Sequence, residues 1–407
     1  MNADVIVVGA GAAGLIASVM AARNGAKVLL IERNEKIGRK IMITGKGRCN
    51  VTNNCDVERL MNATMRNNKF LFGAYNAFPP SDVMDFFENL GVPLKTERGQ
   101  RVFPQSDRAM DIVDALFREI KRLGITLERK RVGHILTEEG KAVGVRTVDG
   151  ISYYADSVVV ATGGLSYPTT GSTGDGYKLA EELGHKIMPT AASLVPILLK
   201  EKWCSELMGL SLKNVTLTVK KGKKVLFEEL GEMMFTHFGI SGPLVLSASA
   251  LMDGDMKDFQ LFVDLKPALD ENKLDERILR DFEGEKNKAF KNSLYRLLPR
   301  SLVPVIIKLS GIDEELPVNS ITREMRKKLV SVIKAMPLTP SGLRPVEEAV
   351  VTRGGICVKD INPKTMESKK VAGLYFCGEV IDVDAVTGGF NLQIAFSTGF
   401  LAGNNCF

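Results

Sequence analysis

Three glycines near the start of the chain, Gly9, Gly11 and Gly14, stand at G-x-G-x-x-G spacing, and a carboxylate, Glu32, follows about twenty residues further on. That combination suits a dinucleotide. Gly9 permits a tight turn, Gly11 lets the backbone approach a pyrophosphate, and Gly14 lets the following helix pack closely on the strand before it. Glu32 is placed to accept ribose hydroxyls, which argues against a 2′-phosphate there. The elements needed to hold these residues are readable on either side. Val5, Ile6, Val7 and Val8 are all β-branched, as in a strand buried on both faces of a parallel sheet. Residues 12–24 predict a helix whose positive N-terminal end faces the phosphates, and 27–31 predict a second strand ending at Glu32. No secretory leader is expected, since no basic segment precedes the apolar run and patterned glycines interrupt it.

Two later stretches repeat the strand-to-glycine-turn pattern. Residues 157–164 read Ser-Val-Val-Val-Ala-Thr-Gly-Gly, so Ala161, Thr162, Gly163 and Gly164 let backbone approach a ligand already held by the first turn. Residues 374–377 form a short apolar run before Gly378 and Glu379; Asp384, Gly388, Gly389, Asn391 and Gln393 then lead into a helix running to about residue 402. Three such turns predict one large split ligand site, more than a mononucleotide needs. Between the first two lies 33–54, without clean periodicity, carrying Gly38, Gly45 and Gly47 among Arg39, Lys40, Lys46 and Arg48. We read it as a loop that wraps the bound cofactor, with a basic surface loop as the alternative. Lys46, between two glycines, is the candidate cation over a redox ring, where developing negative charge makes a fixed cation most effective. Of the three histidines, His237 is the one flanked by glycine turns, and it is the candidate proton donor or acceptor. His134 reads as structural, and His185 as a helix-end residue offsetting the dipole.

At 407 residues the chain suggests two or three domains. Its order predicts a discontinuous first domain, 1–190 with 345–407, interrupted by a β-rich insert over 191–268 and a helical part over 269–344. The insert reading rests on alternating strands at 194–199, 215–220, 224–229 and 260–265, then helical spacing of Leu294, Leu297, Leu298, Ile306 and Leu309. Elsewhere a helix over 68–91 is broken at Pro79 and Pro80 and restarts from a Ser81 cap, 97–104 is a short strand, and 109–123 is an amphipathic helix. No apolar run has the length of a membrane span, since 240–252 is cut by Gly242 and Pro243; the expectation is a cytoplasmic protein without a membrane partner. Six cysteines without a C-x-x-C pair read as free thiols, and no metal site is expected. The net charge of +6 is scattered, and its densest cluster, Lys220, Lys221, Lys223 and Lys224 around Gly222, reads as a solvated hairpin turn, so no nucleic-acid partner is expected.

Taken together, Gly9–Gly14, Gly38–Asn50, Arg101–Pro104, Ala161–Gly176, Phe235–Pro243, Val351–Gly355 and Gly378–Asn391 give the chain a family resemblance over nearly its whole length. It resembles the FAD-binding flavoproteins grouped with the aminoacetone oxidases, a family that also includes a bile-acid enone reductase. The resemblance implies an α/β fold: a Rossmann-like FAD-binding domain of the two-dinucleotide-binding-domain flavoprotein type, with an inserted β-barrel and helical module. It implies FAD as cofactor, with Glu32 on the adenosine ribose and Glu379 on the ribitol. It adds Ala13, Arg33, Thr44, Val132, Gly174, Asp175 and Leu392 to the cofactor contacts already named. No second glycine fingerprint follows a strand, so NADH or NADPH would bind only transiently, in the substrate cavity. The activity expected is hydride exchange between a small organic substrate and the flavin, either as an oxidase using molecular oxygen or as an NAD(P)H-driven reductase of a conjugated C=C bond. A non-catalytic or RNA-associated flavoprotein is the remaining alternative.

Overall fold

In the computed structural model, which describes residues 3–407, the chain divides into two compact units. The first runs to Ser193 and resumes at Pro345–Phe407; the second is Leu194–Arg344.

The first unit is built on a five-stranded parallel sheet in the order Leu374–Phe376, Ser157–Val160, Val5–Val8, Val28–Ile31, Thr126–Glu128. The Val5–Val8 strand is central, pairing Val5 with Ser157 on one side and with Val28 on the other. All four of its residues are buried, which is why an unbroken β-branched run is stable there. The Ala12–Arg23 helix follows, and the long Phe390–Asn405 helix lies against it. Their approach depends on missing side chains: a Cβ on Gly399 would stand 2.4 Å from the Ala13 carbonyl oxygen, and one on Gly403 would stand 2.5 Å from that of Ala17. An antiparallel meander of Val132–Glu138, Lys141–Thr147 and Ser152–Tyr154 and a small sheet of Thr52–Asn53, Arg101–Pro104 and Leu94–Glu97 complete the unit, with a pair of strands, Ile187–Ser193 and Val351–Ile356.

Several local expectations need correction. Residues 33–54 are not a plain loop, because Arg39–Ile43 is a short helix whose Ile41 anchors in the core. The helix after Asn68–Ala77 starts at Pro80, with Pro79 as its cap residue, since proline suits a first helical position that needs no N–H; Ser81 does not cap it. Residues 97–104 divide at Gly99 into a turn and the Arg101–Pro104 strand. His185 is a helix-end residue but a buried one, with Nδ1 3.0 Å from the Ala180 carbonyl in the last turn of the Asp175–Glu182 helix and Nε2 2.7 Å from Ser368 Oγ, and burial lowers its pKa.

The second unit carries a seven-stranded sheet in which the hairpin Ser211–Lys221 and Lys224–Thr236 is flanked by Phe259–Asp264 and Met336–Leu338 on one side and by Gly239–Ser241, Ile197–Leu199 and Pro340–Leu343 on the other. The helices Glu271–Glu283, Val303–Ser310 and Arg323–Lys334 bring Ile278, Ile306 and Leu329 into one core with Leu217, Phe235 and Leu261 of the sheet. The lysine cluster is the hairpin turn, with Gly222 at φ +58°, and Lys220 and Lys221 lie over the rings of Phe262 and Phe259. All six cysteines are free thiols, four of them buried; burial raises the Cys49 thiol to about 12. Among the described residues no helix is long and apolar enough to cross a membrane.

Candidate functional site

The three glycine turns meet on one cleft in the first unit, with about 1330 Å³ of open space including its mouth. Gly9, Gly11, Gly163 and Gly378 all line it. Their backbone explains the residue choice. Gly9 sits at φ +103°, and a Cβ on it would lie 2.6 Å from the Ala161 carbonyl oxygen. Gly14 is behind the wall: a Cβ there would lie 1.9 Å from the Gly9 carbonyl oxygen, so this glycine serves the packing of helix on strand. A Cβ on Gly11 would meet no atom within 4 Å, because it would point into the cleft. Gly11 also begins the Ala12–Arg23 helix without a side-chain cap, so the first N–H groups beyond it face the cleft. Asn391 and Leu392, in the first turn of the last helix, line the same space.

One end of the cleft is defined by Glu32. Its Oε2 accepts a hydrogen bond from the Ala10 N–H at 2.8 Å, and its Oε1 accepts from the Asn34 N–H and side-chain amide, each at 2.8 Å. Asn34 also donates to the Thr170 carbonyl at 3.1 Å and accepts from Arg39. Nearby, Asp175 receives Arg131 in a two-pronged contact at 2.9 and 2.8 Å, with Arg33 at 3.2 Å. Burial works against the charge on Asp175, yet the hydrogen bonds and charges of Arg131 and Arg33 outweigh it and hold the carboxyl below its usual range. Val132 continues this wall. Glu379, Lys40, Thr44, Val350, Val351 and Leu392 line the same cleft. Around the lining, six cations (Arg33, Lys36, Arg39, Lys40, Lys130, Arg131) face three carboxylates (Glu32, Asp175, Glu379). One feature fits a large anionic ligand, the open space at Gly11 among the cations of the lining. A dinucleotide with a doubly negative pyrophosphate matches both the charge and the missing side chain.

Other expected contacts lie elsewhere. Lys46 is exposed, on left-handed backbone at φ +60°, and it does not line the cleft; Gly45 and Gly47 beside it do not either. A Cβ on Gly45 would press on the Asn50 N–H at 2.9 Å, so this glycine serves a turn. Arg48 is drawn outward by Glu97 and Asp107 and stacks over Phe103 at 4.1 Å. Gln393 is a core residue, donating to the Phe78 carbonyl at 2.8 Å and accepting from Thr52. Gly388 and Gly389 form the turn that packs on Thr52 and Asn53, where a Cβ on Gly389 would lie 2.3 Å from the Thr52 carbonyl oxygen. Asp384 is fully buried with its Oδ2 accepting from Ser193 Oγ at 2.7 Å, and burial raises its pKa. Gly164 and Gly174 sit behind the lining against Thr352 and Leu165. His237 is exposed on the turn between Lys224–Thr236 and Gly239–Ser241 in the second unit, its ring edge-on to Phe238 at 4.9 Å. Asn34, Arg131, Lys130 and Val350 are lining residues that motif reading missed. Arg131 and Lys130 stand on a strand approach outside any glycine fingerprint, so spacing carries no signal for them.

A parallel sheet with this crossover order, whose strand-end turns converge on a cationic cleft, belongs to an FAD-dependent oxidoreductase. The chain is a member of the HI0933-like protein Rossmann domain family, whose model matches residues 3–405. It is 31% identical over 407 residues to the 3-dehydro-bile acid delta(4,6)-reductase of Clostridium scindens, covering 98% of this chain and 97% of that one. It is 33% identical over 400 residues to the ribosomal RNA dihydrouridine synthase of Escherichia coli, covering 98% and 96% of the two chains. Among solved structures, the 3-ketosteroid-delta4-(5alpha)-dehydrogenase of Rhodococcus jostii RHA1 aligns with a TM-score of 0.57 at 17% identity, over 100% of this chain and 96% of that one. At that identity the likeness concerns the fold.

Proposed function

We propose that this protein is an NAD(P)H-driven reductase of a C=C bond conjugated to a carbonyl. The observation carrying this reading is that two full-length relatives share one chemistry under different names. A 4,6-diene next to a 3-keto group and the 5,6-bond of a uracil are both alkenes activated by a carbonyl, and each is saturated by hydride at the far carbon and a proton at the near one. Each round consumes one NAD(P)H and one proton, yields NAD(P)⁺ and saturates one C=C bond, so a 4,6-diene takes two rounds to reach the saturated carbonyl compound. FAD, when bound, carries the hydride between donor and acceptor. The chain's own residues bind and orient it: Glu32 and Asn34 at the adenosine end, the N–H groups beyond Gly11 at the pyrophosphate, and Gly378, Asn391 and Leu392 along the remainder. The aminoacetone-oxidase reading is weaker, because it drew on Lys46 as a cation over the ring and Lys46 lies outside the cleft lining.

The Clostridium scindens relative favours a small enone, and the Escherichia coli relative favours a uridine in ribosomal RNA. The small molecule is the leading class, since the net charge of +6 is scattered along the chain. The test is anaerobic mixing of the yellow protein with NADH and with NADPH, followed by addition of a 3-keto-4,6-diene steroid or of unmodified ribosomal RNA. Bleaching by a nicotinamide and recolouring by either acceptor supports the proposal, and the acceptor that recolours it names the class. An absence of bleaching, with peroxide formed from an aminoketone in air, overturns it.

A further inference from the structure

Arg131 lines the cleft just before the Val132–Glu138 strand, and its backbone is fixed there by the Val148 N–H, which donates to the Arg131 carbonyl at 2.8 Å. The side chain is half exposed, yet it is held in one plane. Its Nε donates to Asp175 Oδ2 at 2.9 Å and its Nη2 to Asp175 Oδ1 at 2.8 Å, a parallel fork that engages one edge of the guanidinium and leaves both faces unused. Arg33 reaches the same carboxylate, with Nη1 donating to Asp175 Oδ2 at 3.2 Å and to Thr173 Oγ1 at 2.7 Å. These bonds fix the fork at the Glu32 end of the cleft. Arg33 follows Glu32 in the chain, and Asn34, which donates to Glu32, also donates to the Thr170 carbonyl in the segment leading to Asp175.

Elsewhere the faces of arginines are covered: Arg23 and Arg48 lie over Phe86 and Phe103 at 5.1 and 4.1 Å. Among the described residues no aromatic ring lies over Arg131. The apolar side chains that accompany it in the lining are Ile31, before Glu32, Val132, after Arg131, and Leu179, one helical turn beyond Asp175. A planar cation among apolar side chains suits a flat aromatic ring. A phosphate would take such a fork for itself, and here Asp175 occupies it.

We propose that Arg131 stacks on the adenine of bound FAD and that Asp175 is its positioning residue. The inference rests on the reading that the cleft holds FAD with its adenosine at Glu32. Stacking on a purine adds affinity for the nucleotide half of the cofactor and nothing for the flavin half, so this residue separates FAD from FMN.

The test is the affinity of the apoprotein for FAD, read by quenching of flavin fluorescence, and for ADP, FMN and inorganic pyrophosphate, read by competition with FAD. In Arg131→Ala, FAD and ADP both weaken about tenfold, in line with the loss of one stacked base, while FMN and pyrophosphate bind as they do to the native chain. Arg131→Lys keeps the charge without the planar face and weakens ADP to a similar degree. Arg131→Gln serves if the alanine variant does not fold, with the same pattern expected. Asp175→Asn weakens ADP in the native chain and does so less in the Arg131→Ala background, because it acts through the arginine. Unchanged ADP affinity in Arg131→Ala overturns the proposal. Full rescue by lysine, or a loss of pyrophosphate affinity, also overturns it and places Arg131 on the phosphates. An equal loss of FMN affinity overturns it as well and makes Arg131 a structural residue. An equal effect of Asp175→Asn in both backgrounds overturns the positioning role. Failure of the cleft reading itself would appear separately, as full FAD occupancy in Gly11→Val.

Discussion

Gly11 and Gly14 differ by three positions and do opposite work. A side chain at Gly14 collides with the backbone of the turn, whereas one at Gly11 enters open space in the cleft. Gly11→Val is therefore expected to fold with a melting temperature like that of the native apoprotein and to bind no FAD, measured as flavin absorbance per chain after reconstitution. Gly14→Ala, by contrast, should lower stability whether or not FAD is present. His237→Ala is expected to retain FAD fully and to lower kcat about a hundredfold or more if the imidazole supplies the proton, in line with general acid catalysis. Stopped-flow recolouring by acceptor reads this step alone, and an unaltered rate makes His237 a surface residue. The choice of Lys46 from sequence illustrates the limit of motif reading. A lysine between glycines advertises exposure to a ligand, but the left-handed turn at Gly45 and Lys46 points that side chain outward. Lys40, with no distinguishing neighbours, is the one that the helical turn Arg39–Ile43 presents to the cleft.

Two helices of the first unit, Ala12–Arg23 and Ala109–Arg122, are tied to each other by a charged fork. Glu119, on the Ala109–Arg122 helix, is almost fully buried and receives Arg122 Nε at 2.7 Å and Arg23 Nη2 at 2.7 Å. The Arg122 hydrogen bonds, acting against burial and helped by Arg23, lower its pKa to about 2. A carboxyl whose folded pKa lies below its unfolded value contributes stability that is present above the unfolded pKa, about 4.3, and is lost as pH falls toward the folded one. Glu119→Gln should thus lower stability at pH 7 by about 1–3 kcal/mol and flatten the loss of stability below about pH 4.5, both followed by chemical denaturation across pH. The helix pair Ala12–Arg23 and Phe390–Asn405 has a steric test instead. Gly403→Ala introduces a methyl where the Ala17 carbonyl stands 2.5 Å away, and should cost about 1–3 kcal/mol.

At the scale of the whole molecule, each unit has its own apolar core, one around the parallel sheet and one around the antiparallel sheet and its three helices. The cleft lining belongs to the first unit alone. Calorimetry is expected to resolve FAD-sensitive and FAD-insensitive unfolding, with free FAD at a hundred times its Kd stabilising the first unit by about 2.7 kcal/mol. A single transition moved as one by FAD would instead make the chain one cooperative body. The discontinuity of the first unit is a consequence of topology, since the Leu374–Phe376 strand must return to the sheet edge beside Ser157–Val160 after the second unit is complete.

Amino-acid order by itself determined the local conformations of this chain. The β-branched run at Val5–Val8, the glycine spacing after it and the acid at Glu32 each act over a few residues, so the parallel-sheet nucleotide fold was legible before any contact was known. Alternation over 215–220 and 224–229 likewise announced the hairpin that runs from 211 to 236, and periodicity over 109–123 the amphipathic helix. Which polar side chains face the cleft was decided only by tertiary structure. Lys40 and Glu379 are 339 residues apart, Arg131 and Asp175 are 44 apart, and Gln393 reaches Phe78 across 315, so no window of sequence contains either partner's environment. Glycine and β-branching report on backbone torsion, which is local; whether a cation meets a ligand, a carboxylate or water depends on what the rest of the chain brings beside it.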